Sequence, residues 1–398
     1  MIDALKQLIA IPSVSQTEYT KDALRYVLTL CKGFGFRVFD GGSYGYAEIG
    51  EGKEMMGIIG HLDVVPAGLG WDTDPFTATI KDGQIIGRGV MDDKGPMMAA
   101  IYAMKDVKEG DKHLNKRVRI IFGTCEEVGE WEDIEAYKEK EELPTFGFTP
   151  DADFPAIYGE KGLLQTEWHT PLKKSGFQSI SGGEAPNMVP AWAKAQLDDG
   201  TVIEAKGKSA HGSTPEDGVN AITKLMEQVT GPLADFYREK IDMHGNKLHL
   251  DLWDEQSGAL TLNVGKVEVK GKDVVLSVDI RYPVTYKEAD VMKILKQEVE
   301  PGMHIVRIGG RGPIYMDKNG PIITKMLEAY REITHDNAEP LVIGGGTYAR
   351  AMDHIVAFGP VFPGVELTEH QANERINIAD LEKARKIYRL TIEKLATD

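Results

Sequence analysis

The sequence predicts an α/β fold: a mostly parallel sheet with helices on both faces, interrupted by an inserted α+β domain built on an antiparallel sheet. Three observations carry this reading. At 398 residues the chain is too long for one hydrophobic core. Over residues 1–160 and 317–398, short apolar runs alternate with stretches whose apolar residues recur near every 3.6 positions, the pattern of β-α-β units. Over residues 161–316 the period falls to two and turn signals appear. Residues 1–160 and 317–398 are therefore assigned to one discontinuous domain and 161–316 to an insertion.

In chain order, "IDALKQLI" and "TKDALRYVLTLCKGFG" have helical spacing, the second with a Gly-rich stop. "MMGIIG" (55–60) reads as a buried strand. "PMMAAIYAMKDV" (96–107) reads as a helix opened by Gly95 and Pro96. Its methionines, among 15 in the chain, are core at helical spacing. "RVRIIFGT" (117–124) and "TFGFTPD" (145–151) are further strands, and the order β-α-β calls for parallel pairing with covered faces. In the insertion, "AWAKAQLDDGTVIEAKGKSAH" alternates around a DDG turn and "GALTLNVGKVEVKGKDVVLSVDIRYPV" around "KGKD", both hairpin signals. Helices are expected near 217–230 and 287–299. Beyond the insertion, "PIITKMLEAYREIT" and "IADLEKARKIYRLTIEKLA" are helical and "HIVAFGPVF" is a strand.

Apolar residues make up 42% and charged residues 27%, ordinary for a globular protein. The net charge of −16 argues against nucleic acid and against an anionic membrane face, because like charges repel. Cys31 and Cys125 are far apart and form no CxxC pattern, so a disulfide framework is not expected. The opening residues, "MIDALKQLIAIPSVSQTE", lack the unbroken apolar core of a secretory signal, and no run is long enough to span a bilayer. A cytoplasmic enzyme is the expectation.

The chemistry sits at strand ends. His61 and Asp63 follow 55–60, in "GHLDVVPAG". Glu126 and Glu127 follow 117–124. Asp151 closes 145–150, and His370 follows the strand at 354–359, in "EHQANER". Asp92 and Asp93 stand just before a helix. In open α/β sheets, ligands bind at the carboxyl ends of strands. A lone His-x-Asp is weak evidence, but several strands delivering imidazoles and carboxylates to one edge is strong. These donors suit two divalent ions such as zinc. Three ligating carboxylates and a bridging hydroxide would balance the charge of two zinc ions. That count gives one histidine to each metal, one bridging carboxylate and one terminal carboxylate each. Asp63, two residues past His61 on the same side of an extended chain, is left to hold the imidazole. One glutamate of the pair is left to move a proton.

The stretches "GHLDVVPAG", "WDTDPFTATIKDGQIIGRGVMDDKG", "TCEEVGE", "GKSAHGSTPEDGVNA" and "EHQANE" resemble the co-catalytic dizinc aminoacylase/carboxypeptidase superfamily of metallopeptidases. That superfamily includes succinyl-diaminopimelate desuccinylase, acetylornithine deacetylase and carboxypeptidase G. The similarity runs from about residue 8 to 396. "GFTPDADFPAIYGEKG", "NMVP", "DIRYPVT" and "GGGTYAR" resemble the dipeptidase V (Xaa-His dipeptidase) subgroup.

The resemblance implies a dizinc catalytic domain and an inserted lid that binds substrate. It implies His61, Asp92, Glu127, Asp151 and His370 as metal ligands, with Asp92 bridging. Asp92 is preferred to Asp93 by its distance from the Lys of "DDKG"; Asp151 and Asp153 both stand in "PDADFP". It implies Asp63 and Glu126 as the catalytic pair, and Asn187, His211, Arg281, Gly345, Gly346 and Thr347 as substrate-binding positions. His211 would polarise the substrate carbonyl, and Arg281 would pair with a substrate carboxylate. Residues near 160–166 and 310–320 would be the hinges.

The implied function is a zinc-dependent dipeptidase acting through a metal-bridging water, with manganese or cobalt suiting the same ligands. The alternatives are an N-acyl-amino-acid deacylase, a carboxypeptidase, or a silent metal scaffold, which would need neither Asp63 nor Glu126. The partner is a small peptide, and the expected assembly is a monomer or a homodimer through the lid. The chain departs from the subgroup in one place: residues 191–208 alone separate "NMVP" from "SAHG", where the subgroup carries a larger insertion. His113, His169, His244, His249, His304, His335 and His354 have no comparable context and are read as structural or solvent-facing.

Overall fold

The computed structural model describes residues 1–128 and 131–397; Gly129 and Glu130, the tail of "TCEEVGE", lie outside them. The chain divides into two compact units, one of residues 1–158, 316–341 and 347–398, the other of 159–315 and 342–346.

In the first unit the sheet is mixed. Strand Met55–His61 is buried along its whole length. It lies parallel to Arg117–Gly123 on one side and Phe146–Thr149 on the other. Coverage on both faces is why it reads as a continuous apolar run. Ile355–Ala357 extends the parallel part beside Phe146–Thr149. The edges are antiparallel: Gly45–Ile49 pairs with Arg117–Gly123, Arg37–Asp40 pairs with Gly45–Ile49, and Ile157 pairs with Ala357. Helices flank this sheet. Lys94–Glu109 packs on Ile378–Ala396 and buries Met97, Met98, Ile101, Met104 and Val107. The Lys94 amine, itself buried, donates to the carbonyls of Leu8 and Ile11 and ties the first helix, Ile2–Ile9, to the start of that one. Register places His61 opposite Gly123, Ile58 opposite Phe148 and Thr149 opposite Ala357, so the parallel strands end at one edge of the sheet, with Asp151 three positions beyond Phe148 as His61 is beyond Ile58.

The second unit is a seven-stranded, wholly antiparallel sheet. Its order is Val202–Lys206, Trp192–Leu197, Phe177–Gly182, Thr261–Lys270, Asp273–Tyr282, Gly162–Pro171, His304–Arg311. The two expected hairpins turn at Gly200 and Gly271, both at positive φ. Helix Ala221–Gln228 is capped by Asn220, whose side chain accepts from the amides of Ile222 and Thr223. With Leu225, Leu276 and Ile280, the buried Trp168 builds the core. A further helix, Pro232–Lys240, is absent from the sequence expectation. It is short, and its apolar positions became recognisable only once packed against Ala221–Gln228. Among the described residues, no helix is long and apolar enough to cross a membrane.

Candidate metal centre

The first unit gathers its donors around Asp92. His61 ends strand Met55–His61 and is fully buried. Its Nε2 stands 2.9 Å from Asp92 Oδ1 and 3.8 Å from Asp151 Oδ2. His370, half-exposed, puts its Nε2 3.0 Å from Asp92 Oδ2 and 3.0 Å from Glu127 Oε2. Among the described residues, two groups have the donor types and spacing to hold an ion: His61, Asp92 and Asp151, and Asp92, Glu127 and His370. Asp92 is common to both, each of its oxygens turned to a different histidine.

The donors fit a cation better than one another. His61 Nε2 is buried and close to Asp92 Oδ1, yet makes no hydrogen bond. A buried nitrogen without a hydrogen-bond partner, next to a carboxylate oxygen, suits two donors to one ion. The neighbouring aspartates are turned elsewhere. Asp93 Oδ2 accepts the main-chain N–H of His61, and Asp153 belongs to neither group.

The charges are strongly coupled. Burial disfavours ionised Asp92, but the two imidazoles overcome it and hold the carboxyl well below the usual range. Burial and the Asp92 charge push Asp151 well above it. Burial opposes charge on His370, yet Asp92 and Glu127 hold its imidazole up to about 11. His61 is likewise raised against burial, by Asp63 and Asp92. Burial, reinforced by Glu127, pushes Glu126 up to about 8.

Asp63 does more than the sequence suggests. The His61 Nδ1 is 3.0 Å from the main-chain carbonyl of Asp63, with carboxylate Oδ1 at 3.4 Å. The same carboxylate accepts the amides of Glu126 and Glu127, at 3.1 and 3.3 Å, and the Ser15 hydroxyl. It thus binds the histidine's loop to the glutamates' loop. Glu374 is a residue that sequence reasoning missed. Fully buried, it accepts from the Arg88 guanidinium and from the amides of Gly89, Met91 and Asp92. It moulds the loop that carries Asp92. A buried-polar signal in "EHQANER" was visible only as a Glu four residues after His370.

The second unit brings together most of the remaining positions. The Asn187 carbonyl accepts the Gly212 amide, and Met188 bridges His211. His211 Nδ1 accepts the Ser213 amide, which can only donate, so a neutral ring carries its proton on Nε2. Arg281 is buried, its Nε and Nη2 already held by Asp279 and its Nη1 by the Gly344 carbonyl. Gly344 lies so close to Ser213 that a Cβ would stand 2.8 Å from it. Gly345 and Gly346 belong to this unit, and Thr347 begins the return to the first. Among the described residues, none of the other seven histidines belongs to a donor group; His169, for example, is paired with Glu167 and stacked on His304.

Comparison with known proteins supplies three findings. The family model described as peptidase family M20/M25/M40 matches residues 57–394. A Staphylococcus haemolyticus protein, provisionally named a dipeptidase, is 35% identical over 457 aligned positions, covering 100% of this chain and 97% of the relative. Human carnosine dipeptidase 1 has the same fold: its structure superposes with a TM-score of 0.66 at 17% identity, covering 99% of this chain and 95% of that one.

Proposed function

The chain belongs to peptidase family M20/M25/M40, and from that premise we propose that it is a metal-dependent dipeptidase whose centre is built on Asp92. The observation that carries the reading is the sharing of Asp92 between two donor groups, one oxygen to each. The provisional dipeptidase name of the S. haemolyticus relative supports the substrate class.

In this reading His61, Asp92 and Asp151 would hold one divalent ion and Asp92, Glu127 and His370 a second, and the bound ions would supply Lewis acidity toward the scissile carbonyl and the attacking water. Imidazole with carboxylate suits zinc, and manganese or cobalt also accept these donors. Glu126 takes the proton from the attacking water and delivers it to the leaving amine. Its buried carboxyl, pushed up to about 8, suits a group that must both accept and return a proton near neutrality. Asp63 keeps the His61 ring in orientation and keeps Glu126 and Glu127 in register. His211, with its Nε2 proton, is proposed to donate to the developing oxyanion. Asn187, Arg281, Gly345, Gly346 and Thr347 are proposed to bind substrate. Arg281 would reach a substrate carboxylate through the N–H groups of Nη1 and Nη2 that Asp279 and the Gly344 carbonyl do not take. Free cysteines, Cys31 buried and Cys125 beside the glutamates, fit a cytoplasmic location.

The test is hydrolysis by zinc-loaded protein of a panel of dipeptides, their N-acylated forms and N-acyl-amino acids. Cleavage that requires a free α-amine is expected. Turnover of the acylated compounds alone would replace dipeptidase with deacylase.

A further inference from the structure

The motif "GGGTYAR" is absorbed by the proposed function only as far as Thr347. The next residue, Tyr348, is fully buried in the first unit and begins the turn Tyr348–Ala351, which Thr347 caps through its hydroxyl. Its ring stands edge-on to His61, with centroids 6.0 Å apart, and edge-on to Trp131 at 5.0 Å. Its hydroxyl donates to Asp133 Oδ2 at 2.7 Å.

Asp133 is itself almost fully buried, and that same oxygen accepts the amides of Thr124 and Cys125, at 2.5 and 3.0 Å. The next two amides, those of Glu126 and Glu127, go to Asp63. Four consecutive amides are thus held by two buried carboxylates, and Trp131 Nε1 adds a bond to the Glu126 carbonyl at 2.9 Å. The strand leading into this segment ends in Gly123 for a steric reason. A Cβ there would meet the Tyr348 hydroxyl at 2.5 Å and Asp133 Oδ2 at 2.7 Å. No side chain fits between the strand end and the Tyr348–Asp133 pair.

We propose that Tyr348, acting through Asp133, is a positioning residue for Glu126. Its hydroxyl orients the carboxylate that fixes the two residues before the proton shuttle, and its ring backs the histidine beside it. Without the hydroxyl, Asp133 keeps its amide bonds but its carboxylate can turn, and the hold on Thr124 and Cys125 loosens. A displacement of about 1 Å at a reacting group costs up to on the order of a hundredfold in rate. The proposal rests on the reading of Glu126 as the proton shuttle.

The test uses the full chain loaded with zinc and the variant Tyr348→Phe, which keeps the ring. Its kcat should fall on the order of tenfold, with KM and the content of two metals per chain unchanged. In a Glu126→Gln background the same substitution should have no further effect on kcat, because residues acting as one unit are not additive. A role confined to packing would leave the two losses multiplicative. Independently of turnover, hydrogen exchange at the Thr124 and Cys125 amides should accelerate in Tyr348→Phe, with or without zinc. Asp133→Asn, of equal volume, should reproduce the kcat loss and the faster exchange, and it carries the test if Tyr348→Phe does not fold. Unchanged kcat and exchange, multiplicative losses, or loss of a metal in Tyr348→Phe would each overturn the proposal. A wild-type chain that hydrolyses none of the panel would overturn the parent reading alone, and the exchange rates would then decide the positioning claim.

Discussion

Two neighbouring glutamates have different surroundings, and the proposed division of labour follows from that difference. Glu127 reaches His370 at 3.0 Å and belongs to a donor group with Asp92. Among the described residues Glu126 belongs to no donor group, and burial raises it to about 8. Glu127→Ala should therefore lose metal affinity together with activity. Glu126→Gln should keep both metals and lose kcat by a factor of at least about a hundred, the lower range for removal of a general acid–base. Metal analysis beside steady-state kinetics checks this; a metal deficit in Glu126→Gln with full loading in Glu127→Ala reverses the assignment. His211→Ala should leave metal content intact and lower kcat on the order of a hundredfold, as for loss of one oxyanion donor. An effect on KM alone would make His211 a plain binding residue.

At the scale of elements, the parallel strands set the positions of His61, Glu126 and Asp151, but Asp92 depends on a loop. That loop takes its shape from Glu374, which collects three of its amides and the Arg88 guanidinium. Glu374→Gln keeps the volume, yet its amide group offers one acceptor oxygen where the carboxylate has two. We expect metal affinity to weaken 10- to 100-fold, the usual effect of losing a residue that supports a ligand. Titration with a competing chelator measures it. Wild-type affinity in Glu374→Gln would show that the loop holds its shape through Lys94 and the helix start instead.

For the whole molecule, metal and protons compete. His370 is held up to about 11 and His61 well above its ordinary value, so both are protonated near neutrality when no metal is bound. Metal binding needs the neutral rings and must release protons. Apparent zinc affinity should rise between pH 6 and 8, by up to about tenfold per pH unit for each proton released. Calorimetry in buffers of different ionisation enthalpy counts those protons, and a pH-independent affinity would refute the scheme. Stability follows with a definite sign. A folded-state pKa raised above its unfolded value contributes stability that is lost as pH rises through the folded value. Glu374 at about 7, Glu126 at about 8 and His370 at about 11 all have this sense. In chelator, the thermal midpoint should fall as pH rises from 5 to 7. With zinc at about 100 times its Kd the protein should regain about 2.7 kcal/mol per site.

The sequence by itself determined the fold class and which residues stand at the strand ends. Apolar runs, helical periods and hairpin turns are local patterns, and a titratable residue just past a buried strand is carried to the sheet's edge wherever that strand pairs. His61, Glu126, Asp151 and the hairpins at Gly200 and Gly271 were legible for this reason. Only the tertiary structure decided how those residues meet. The loops that carry Asp92 and the two glutamates are tied to distant partners: Glu374 lies 282 positions from Asp92, and Tyr348 lies 215 from Asp133. The antiparallel edges of the first sheet and the helix Pro232–Lys240 were hidden in the same way, since their short segments take their meaning from the surfaces they cover. Hydrogen bonds between residues remote in sequence leave no period or spacing to read. Their geometry exists only once the chain has packed.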